Sequence, residues 1–358
     1  MKIALATTTV HVPHALKLMR KCGPDVKFFV AGDEKSPHSE IIMAQTGLGN
    51  YDYLFGTMQD KWKCSGPIGW NTLARRNIAF LEALKWGADL IVSWDNDNIP
   101  TDDNYFENFA RCFEVTKSNY FPGYNSPMLP QGAPWLFSGI QVEKMHPDAW
   151  FDPGRLLIPG TRHRGFPHHK MDKGCKAEPV TDAKIGVAAG LVIGDPDIDA
   201  TTRIEKSPHI GAVHLLGQTG IVVDLNTWTV FNSQNTAVIR ELIPAWFMMP
   251  GVNRHDDIYA SLIVQRVARE RGYHVHFGSP FTYQQRNDHD LLVDLRREID
   301  GMGNVEKLAG LLDSIVLPGK SVVADTRIIY EALCFCEFIP QKSACAGLAW
   351  LEDVETVL

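Results

Sequence analysis

The 358-residue chain has no Cys-x-x-Cys pair, although it carries seven cysteines: Cys22, Cys64, Cys112, Cys175, Cys334, Cys336 and Cys345. An odd, unpatterned count argues against a secreted disulfide framework and predicts reduced thiols. No apolar run approaches the roughly 20 residues needed to span a bilayer. The opening Met1-Lys2-Ile3-Ala4-Leu5-Ala6 turns polar at Thr7, too soon for a signal-peptide core. A cytoplasmic protein without a membrane partner is therefore expected. No run of Lys or Arg exceeds two residues and the formal charge is −7, so a phosphate-tracking surface for nucleic acid is not indicated. No Gly-x-Gly-x-x-Gly or Walker loop follows the first strand and no Gly-x-Ser-x-Gly elbow appears, which lowers NAD, ATP and serine-nucleophile chemistry in rank. What is present is the composition of an ordinary globular protein, 45% hydrophobic and 22% charged. The length suits one large α/β domain with a helical appendage.

Alternating short apolar runs and helical patterns organise the first part of the chain. Residues 2–8 and 26–31 read as strands, with a helix over 14–22 between them. Asn71 is expected to cap a helix that runs to Trp86 and stops at Gly87. The strand over 89–94 then delivers Asp95 and Asp97 at its carboxyl end, where open α/β sheets place ligands. From Phe121 to Pro208 periodicity fades and Pro and Gly recur, which predicts functional loops. A strand over 227–231, a helix over 234–242 capped by Asn232, a helix over 256–271 and a strand over 274–277 follow. Beyond residue 290, residues 291–312 and 322–338 look helical and are expected to pack on the sheet rather than to form a site. The domain reading is thus 1–290 as the catalytic domain and 291–358 as a helical extension.

Three acidic clusters and one basic stretch carry the chemistry. Ser93-Trp94-Asp95-Asn96-Asp97 puts two carboxylates two residues apart after a buried strand, and such oxygens suit Mg²⁺ or Mn²⁺. Gly194-Asp195-Pro196-Asp197-Ile198-Asp199 holds three aspartates in five residues, which repel one another unless a cation, Arg203 or a sugar hydroxyl satisfies them. Its bland reading is a solvated turn with an Asx cap. Arg254-His255-Asp256-Asp257 stands at a helix start, where capping accounts for one aspartate more readily than for two. Arg162-His163-Arg164-Gly165-Phe166-Pro167-His168-His169-Lys170 is the densest basic stretch and is a candidate grip for a diphosphate. A zinc site from His163, His168, His169 and Cys175 matches no strong spacing.

Taken in order, these segments resemble the reversibly glycosylated polypeptide family, the flavin-independent UDP-arabinopyranose mutases. The similarity spans most of residues 1–285. Asp95-Asn96-Asp97 is similar to that family's acidic metal triplet, and Arg164-Gly165-Phe166-Pro167 to its Arg-Gly-Tyr-Pro segment, whose Arg becomes glycosylated. Asp197-Ile198-Asp199-Ala200, Asn232-Ser233-Gln234-Asn235 and Arg254-His255-Asp256-Asp257 resemble three further segments. Where the family tends to carry a His after Phe281-Thr282-Tyr283, this chain has Gln284, with His289 five residues later.

The resemblance implies an α/β, GT-A-like mixed sheet flanked by helices, with a C-terminal helical extension. It implies Mn²⁺ or Mg²⁺ held by Asp95, Asp97 and His289, and no flavin or NAD. It assigns catalysis to Arg164, Asp197, Asp199 and Asp256, with Arg164 foremost a phosphate clamp because a guanidinium is a poor nucleophile while protonated. Nucleotide-sugar contacts fall to Thr7, Asp33, Arg76, Asp95 and Asn96, and to Asn235, Arg254 and Asp257. The implied reaction interconverts the pyranose and furanose forms of a UDP- or GDP-linked sugar, of UDP-arabinose or GDP-fucose type. The alternatives are a GT-A glycosyltransferase and a non-catalytic nucleotide-sugar-binding subunit, and a homo-oligomer is compatible with each.

Overall fold

A computed structural model describes residues 1–49, 52–114, 135–138, 150–158, 160–167, 169–170, 176–179, 183–213, 217, 220–285 and 290–358. Its strands are β1 (Ile3–Thr9), β2 (Lys27–Gly32), β3 (Tyr53–Leu54), β4 (Leu90–Trp94), β5 (Asn98–Pro100), β6 (Trp135–Ser138), β7 (Trp150–Phe151), β8 (Lys176–Pro179), β9 (Lys184–Gly194), β10 (Ile221–Val223), β11 (Trp228–Thr229), β12 (Asn235–Ile239) and β13 (Tyr273–Gln284). Its α-helices are α1 (Leu16–Cys22), α2 (Ser39–Thr46), α3 (Ser65–Ile68), α4 (Arg76–Trp86), α5 (Tyr105–Phe113), α6 (Ala200–Lys206), α7 (Asp256–Arg269), α8 (Leu291–Ser314), α9 (Val322–Leu333) and α10 (Gln341–Glu355).

One 11-stranded sheet runs in the order β3-β2-β1-β4-β12-β9-β13-β10-β6-β8, with β5 added on β13. The first four strands are parallel, and β12 enters antiparallel between β4 and β9. This is the GT-A-like mixed α/β architecture expected from the sequence. Period-two alternation divides the core between the two faces of the sheet. Ala4, Ala6, Phe29, Ala31 and Ile91 point to one face, where α4, α7 and the C-terminal helices pack. Leu5, Phe28, Val30, Leu90 and Val92 point to the other, against α1, α2 and α5.

Register brings the site together. Asn235 lies opposite Trp94, so the turn before β12 sits beside the end of β4. Gln284 lies opposite Gly194, so the ends of β13 and β9 meet as well. The segments starting at Asp95, Asp195, Ser233 and Gln284 therefore share one rim of the sheet.

Several expected elements differ. Residues 234–242 form not a helix but β12 and a 3₁₀ segment (Arg240–Ala245). Thr236, Val238 and Ile239 are β-branched, and the backbone finds ladder partners on both sides, which outweighs the helical pattern. Asn232 does accept a hydrogen bond from the backbone N–H of Gln234 at 3.1 Å, but as a turn into a strand. Thr72, not Asn71, caps the turn leading into α4, accepting from the N–H of Ala74, while Asn71 itself adopts φ 58°. The 121–208 stretch, expected as loops, contains β9, an 11-residue strand at the centre of the sheet. Much of 121–182, with His168 and Cys175, lies outside the described residues. The six cysteines among the described residues are free thiols. Among the described residues, no helix is long and apolar enough to cross a membrane.

The C-terminal helices complete the larger core cluster through Leu308, Leu312, Ile329, Leu333, Trp350 and Leu351. On α8 the buried positions Asp294, Glu298, Gly301, Val305, Leu308 and Leu312 recur every three or four residues, forming one stripe. Gly301 is where this stripe meets the chain before α7: a Cβ there would lie 2.0 Å from Nδ1 of the buried His255. In an open helix, Gly→Ala stabilises by about 1 kcal/mol. Here overpacking reverses the sign, and Gly301→Ala is expected to lower unfolding free energy by roughly 1–3 kcal/mol in urea titration. Equal or greater stability of the variant would contradict this packing.

Candidate functional site

A cleft of about 580 Å³ opens at the shared rim, lined by Asp95, Asp97, Arg164, Asp197, Ser233, Gln234, Arg254, Asp256, Asp257, Gln284 and Arg297, with Asn71–Leu73 and Asn253 at its edge. Beneath it runs a continuous network of ions and hydrogen bonds.

At the β4 end, the buried guanidinium of Arg76 donates to Asp95 Oδ1 at 2.5 Å, to Ser93 Oγ at 3.1 Å and to Ser233 O at 2.8 Å. Asp95 is half-exposed and reaches the cleft from this anchored position. Its backbone N–H donates to Gln234 O, fixing the strand tip against the turn before β12. Asp97 accepts from the Gln284 side-chain amide at 2.9 Å, and Gln284 in turn accepts from Gln234. Gln284 thus orients a carboxylate through an amide N–H.

Arg164 is the hub. The turn carrying it is pinned by the His163 N–H to Asp152 at 3.1 Å and by the Phe166 N–H to His163 O at 3.1 Å. Gly165 adopts φ 81°, and a Cβ there would come within 2.4 Å of Ile258, so glycine is required for Arg164 to turn inward against α7. Arg164 Nε donates to Asp197 Oδ2 at 2.5 Å, Nη2 to both oxygens of Asp257 at 2.9 and 3.1 Å, and Nη1 to the carbonyl of Arg254. Burial opposes its charge, but Asp197 and Asp257 outweigh that and hold its pKa well above the ordinary value. Each of its three nitrogens already has a protein acceptor. The expected phosphate-clamp role meets that obstacle: in this arrangement Arg164 is a buried anchor.

The three aspartates after β9 are satisfied in three ways. Asp195 pairs with Arg203. Asp197 bridges Arg164 and Arg254, accepting from Arg254 Nη2 at 3.0 Å. Asp199 caps α6, accepting from the Thr202 N–H at 2.9 Å; it is buried and does not line the cleft. Arg254 is also held from α8, through Glu298 at 2.8 Å and Asp294 at 3.2 Å. The sequence contained no motif for these two acids, yet both sit on the buried stripe of α8, where charged residues are unusual without partners. The extension therefore takes part in building the site, contrary to the expectation that it only packs on the sheet.

Asp256 stands apart. It lines the cleft, is nearly buried, and accepts the Asp257 N–H at 3.0 Å. Burial first, and then the neighbouring Asp257 charge, push its carboxyl from 3.8 up to about 7, against the pull of Arg164. Such a group both holds and releases a proton near neutrality.

Other expected contacts lie off the cleft. Thr7 is buried within β1, and Asn235 bonds Tyr105 at 2.6 Å and Pro280 O at 2.9 Å inside the sheet. Asp33 accepts from the N–H groups of Asn71 and Thr72, bracing the loop at the cleft edge. Asn96 donates to Thr9 Oγ1 at 2.7 Å. His289, the expected third metal ligand, lies outside the described residues. Among the described residues, no three His, Cys, Asp or Glu side chains gather as a metal site. The oxygen donors of Asp95 and Asp97 at the cleft wall nevertheless suit a hard divalent ion that takes its remaining ligands from water and substrate. Five aspartates against three arginines in the cleft lining also leave room for added positive charge.

Residues 173–342 match the family model described as reversibly glycosylated polypeptide. The match covers the Asp197, Asn232 and Arg254 segments and extends through α8, while Asp95–Asp97 and Arg164 precede it. No curated protein matches the chain.

The titration of Asp256 makes a stability test. Because its folded pKa is raised, protonated Asp256 stabilises the fold fully below about pH 4, and that contribution is lost as pH rises through about 7. Asp256→Asn mimics the protonated form. Its melting temperature should match the parent near pH 4 and exceed it by several degrees at pH 8; parity at pH 8 would refute the buried, raised carboxyl.

Proposed function

We propose that the cleft binds a nucleotide-diphosphate sugar and that the chain interconverts the pyranose and furanose forms of the sugar with the nucleotide attached. The observation that supports this best is convergence. All five segments on which the family resemblance was drawn contribute to one cleft or its immediate floor, at the strand ends where nucleotide ligands bind in open α/β sheets. The family match over residues 173–342 points the same way.

Ring interconversion asks three things of the protein. The bond from the anomeric carbon to the diphosphate must weaken, a ring oxygen must gain a proton, and a different hydroxyl must lose one. Asp256 suits the proton steps, since a carboxyl titrating near neutrality gives up and recovers a proton with little penalty. Asp197 and Asp257 hold Arg164 and Arg254 in fixed positions, so the positive ends of the network stay aimed at the cleft without reorganising during reaction. Asp95 and Asp97 would hold Mn²⁺ or Mg²⁺, which when bound would neutralise diphosphate charge. Arg76 keeps Asp95 oriented for that purpose.

Incubating the purified chain with Mn²⁺ and a panel of UDP- and GDP-sugars, with separation of ring isomers, tests the reading. A new isomer with an intact nucleotide is expected, abolished by chelator and restored by Mn²⁺. Combined Asp95→Ala and Asp97→Ala should cut turnover by at least about a hundredfold. Acceptor-dependent nucleotide release without isomerisation would replace the mutase with a glycosyltransferase, and binding without any turnover would leave a binding subunit.

Arg164→Lys gives a separate measurement. A single ammonium cannot reproduce a planar group bonded to Asp197, Asp257 and a carbonyl at once. A loss of about a hundredfold in turnover is expected, and near-normal activity would remove Arg164 from the catalytic account.

A further inference from the structure

We infer that Arg297, on the second turn of α8, is the residue that grips the substrate's diphosphate; this rests on the nucleotide-sugar reading of the cleft. Of the arginines lining the cleft, Arg164 is bonded to Asp197 and Asp257, and Arg254 to Asp197, Asp294 and Glu298. Arg76, behind them, is bonded to Asp95. Arg297 lines the same cleft, is exposed, and no hydrogen bond or ion pair engages it among the described residues.

The charge balance makes that availability consequential. Five aspartates face the cleft, so a dianionic ligand entering it meets net repulsion unless positive charge is supplied. A guanidinium on a flexible stem, with its donors uncommitted, satisfies phosphate oxygens in pairs and needs no protein contact to be broken first. Arg164 and Arg254 have acceptors on all three of their nitrogens, and swinging either side chain toward a phosphate would strand a carboxylate, which is strongly unfavourable.

Placement on the helix adds to the case. Arg297 falls beside the Asp294 and Glu298 positions that anchor Arg254, so the turn carrying it is fixed at the cleft rim. Arg296, one residue earlier and also exposed, does not line the cleft. In the basic stretch 162–170, from which a diphosphate grip was expected, the described residues are engaged elsewhere: Arg162 lies over the Phe166 ring, and His169 and Lys170 pair with Glu306.

Calorimetric titration of the full chain with UDP and with GDP, at low and high salt, tests the assignment. Arg297→Ala should weaken the better-bound diphosphate by about tenfold or more and flatten its salt dependence, as loss of one charge-assisted contact requires. Arg297→Lys should recover part of the affinity, and Arg296→Ala should bind as the parent does. Melting temperatures of all three should stay near the parent's, because both arginines are exposed. If the parent binds UDP or GDP and Arg297→Ala binds equally well, the assignment is overturned while the nucleotide-sugar reading stands. If the parent binds neither, both are overturned.

Discussion

A buried positive charge surrounded by acids is the constraint on which the site depends. Arg164 has almost no contact with water, so its charge persists only because Asp197 and Asp257 lie against it. Those two acids come from the loop after β9 and the first turn of α7, and Arg164 comes from a turn that precedes β9 in the chain. Removing one member of such a cluster strands the others, at a cost of about 3–5 kcal/mol. The loops are consequently held by electrostatic necessity as well as by the apolar packing of Phe166, Ile198 and Ile258 beside them. Asp197 extends the same logic outward, since its second oxygen engages Arg254 and through it α8.

From this arrangement follows a division of labour among groups that look alike in the sequence. Paired acids and arginines set geometry, and those left outside the pairing stay open to the cleft. Asp256 and Asp257 are adjacent and both belong to the first turn of α7, yet Asp257 is tied to Arg164 and Ser233 while Asp256 is left with one backbone N–H and a raised pKa. Arg296 and Arg297 are likewise neighbours, and one helical step separates a solvent-facing residue from a cleft residue.

Much of this was legible from residues alone where a signal is local. The strand leading to Asp95, the glycine stop at Gly87, the helix over α7 and the acidic clusters all followed from periodicity and capping chemistry. Legibility failed where tertiary partners decided. Residues 235–239 became a central strand because β4 and β9 flank them, a fact without trace in a short window. Asn235 resembled a ligand residue by motif and proved to be a sheet residue bonded to Tyr105. Glu298 pairs with Arg254 across 44 residues, which no spacing rule anticipates. One trace did exist: Asp294 and Glu298 occupy the same stripe as Val305, Leu308 and Leu312, and charge on an apolar stripe signals a buried partner.

That stripe changes what α8 is. Its later turns are scaffold, burying Val305, Leu308 and Leu312, while its first turns hold the cleft residue Arg254 through Asp294 and Glu298 and bring Arg297 to the cleft lining. A single rod thus has a structural end and a chemical end, joined where Gly301 lets it lie against His255. Any evolutionary exchange or laboratory chimera that grafts another tail onto the sheet after residue 290 would import foreign charges into the cleft, so the sheet and this helix must be inherited as one unit.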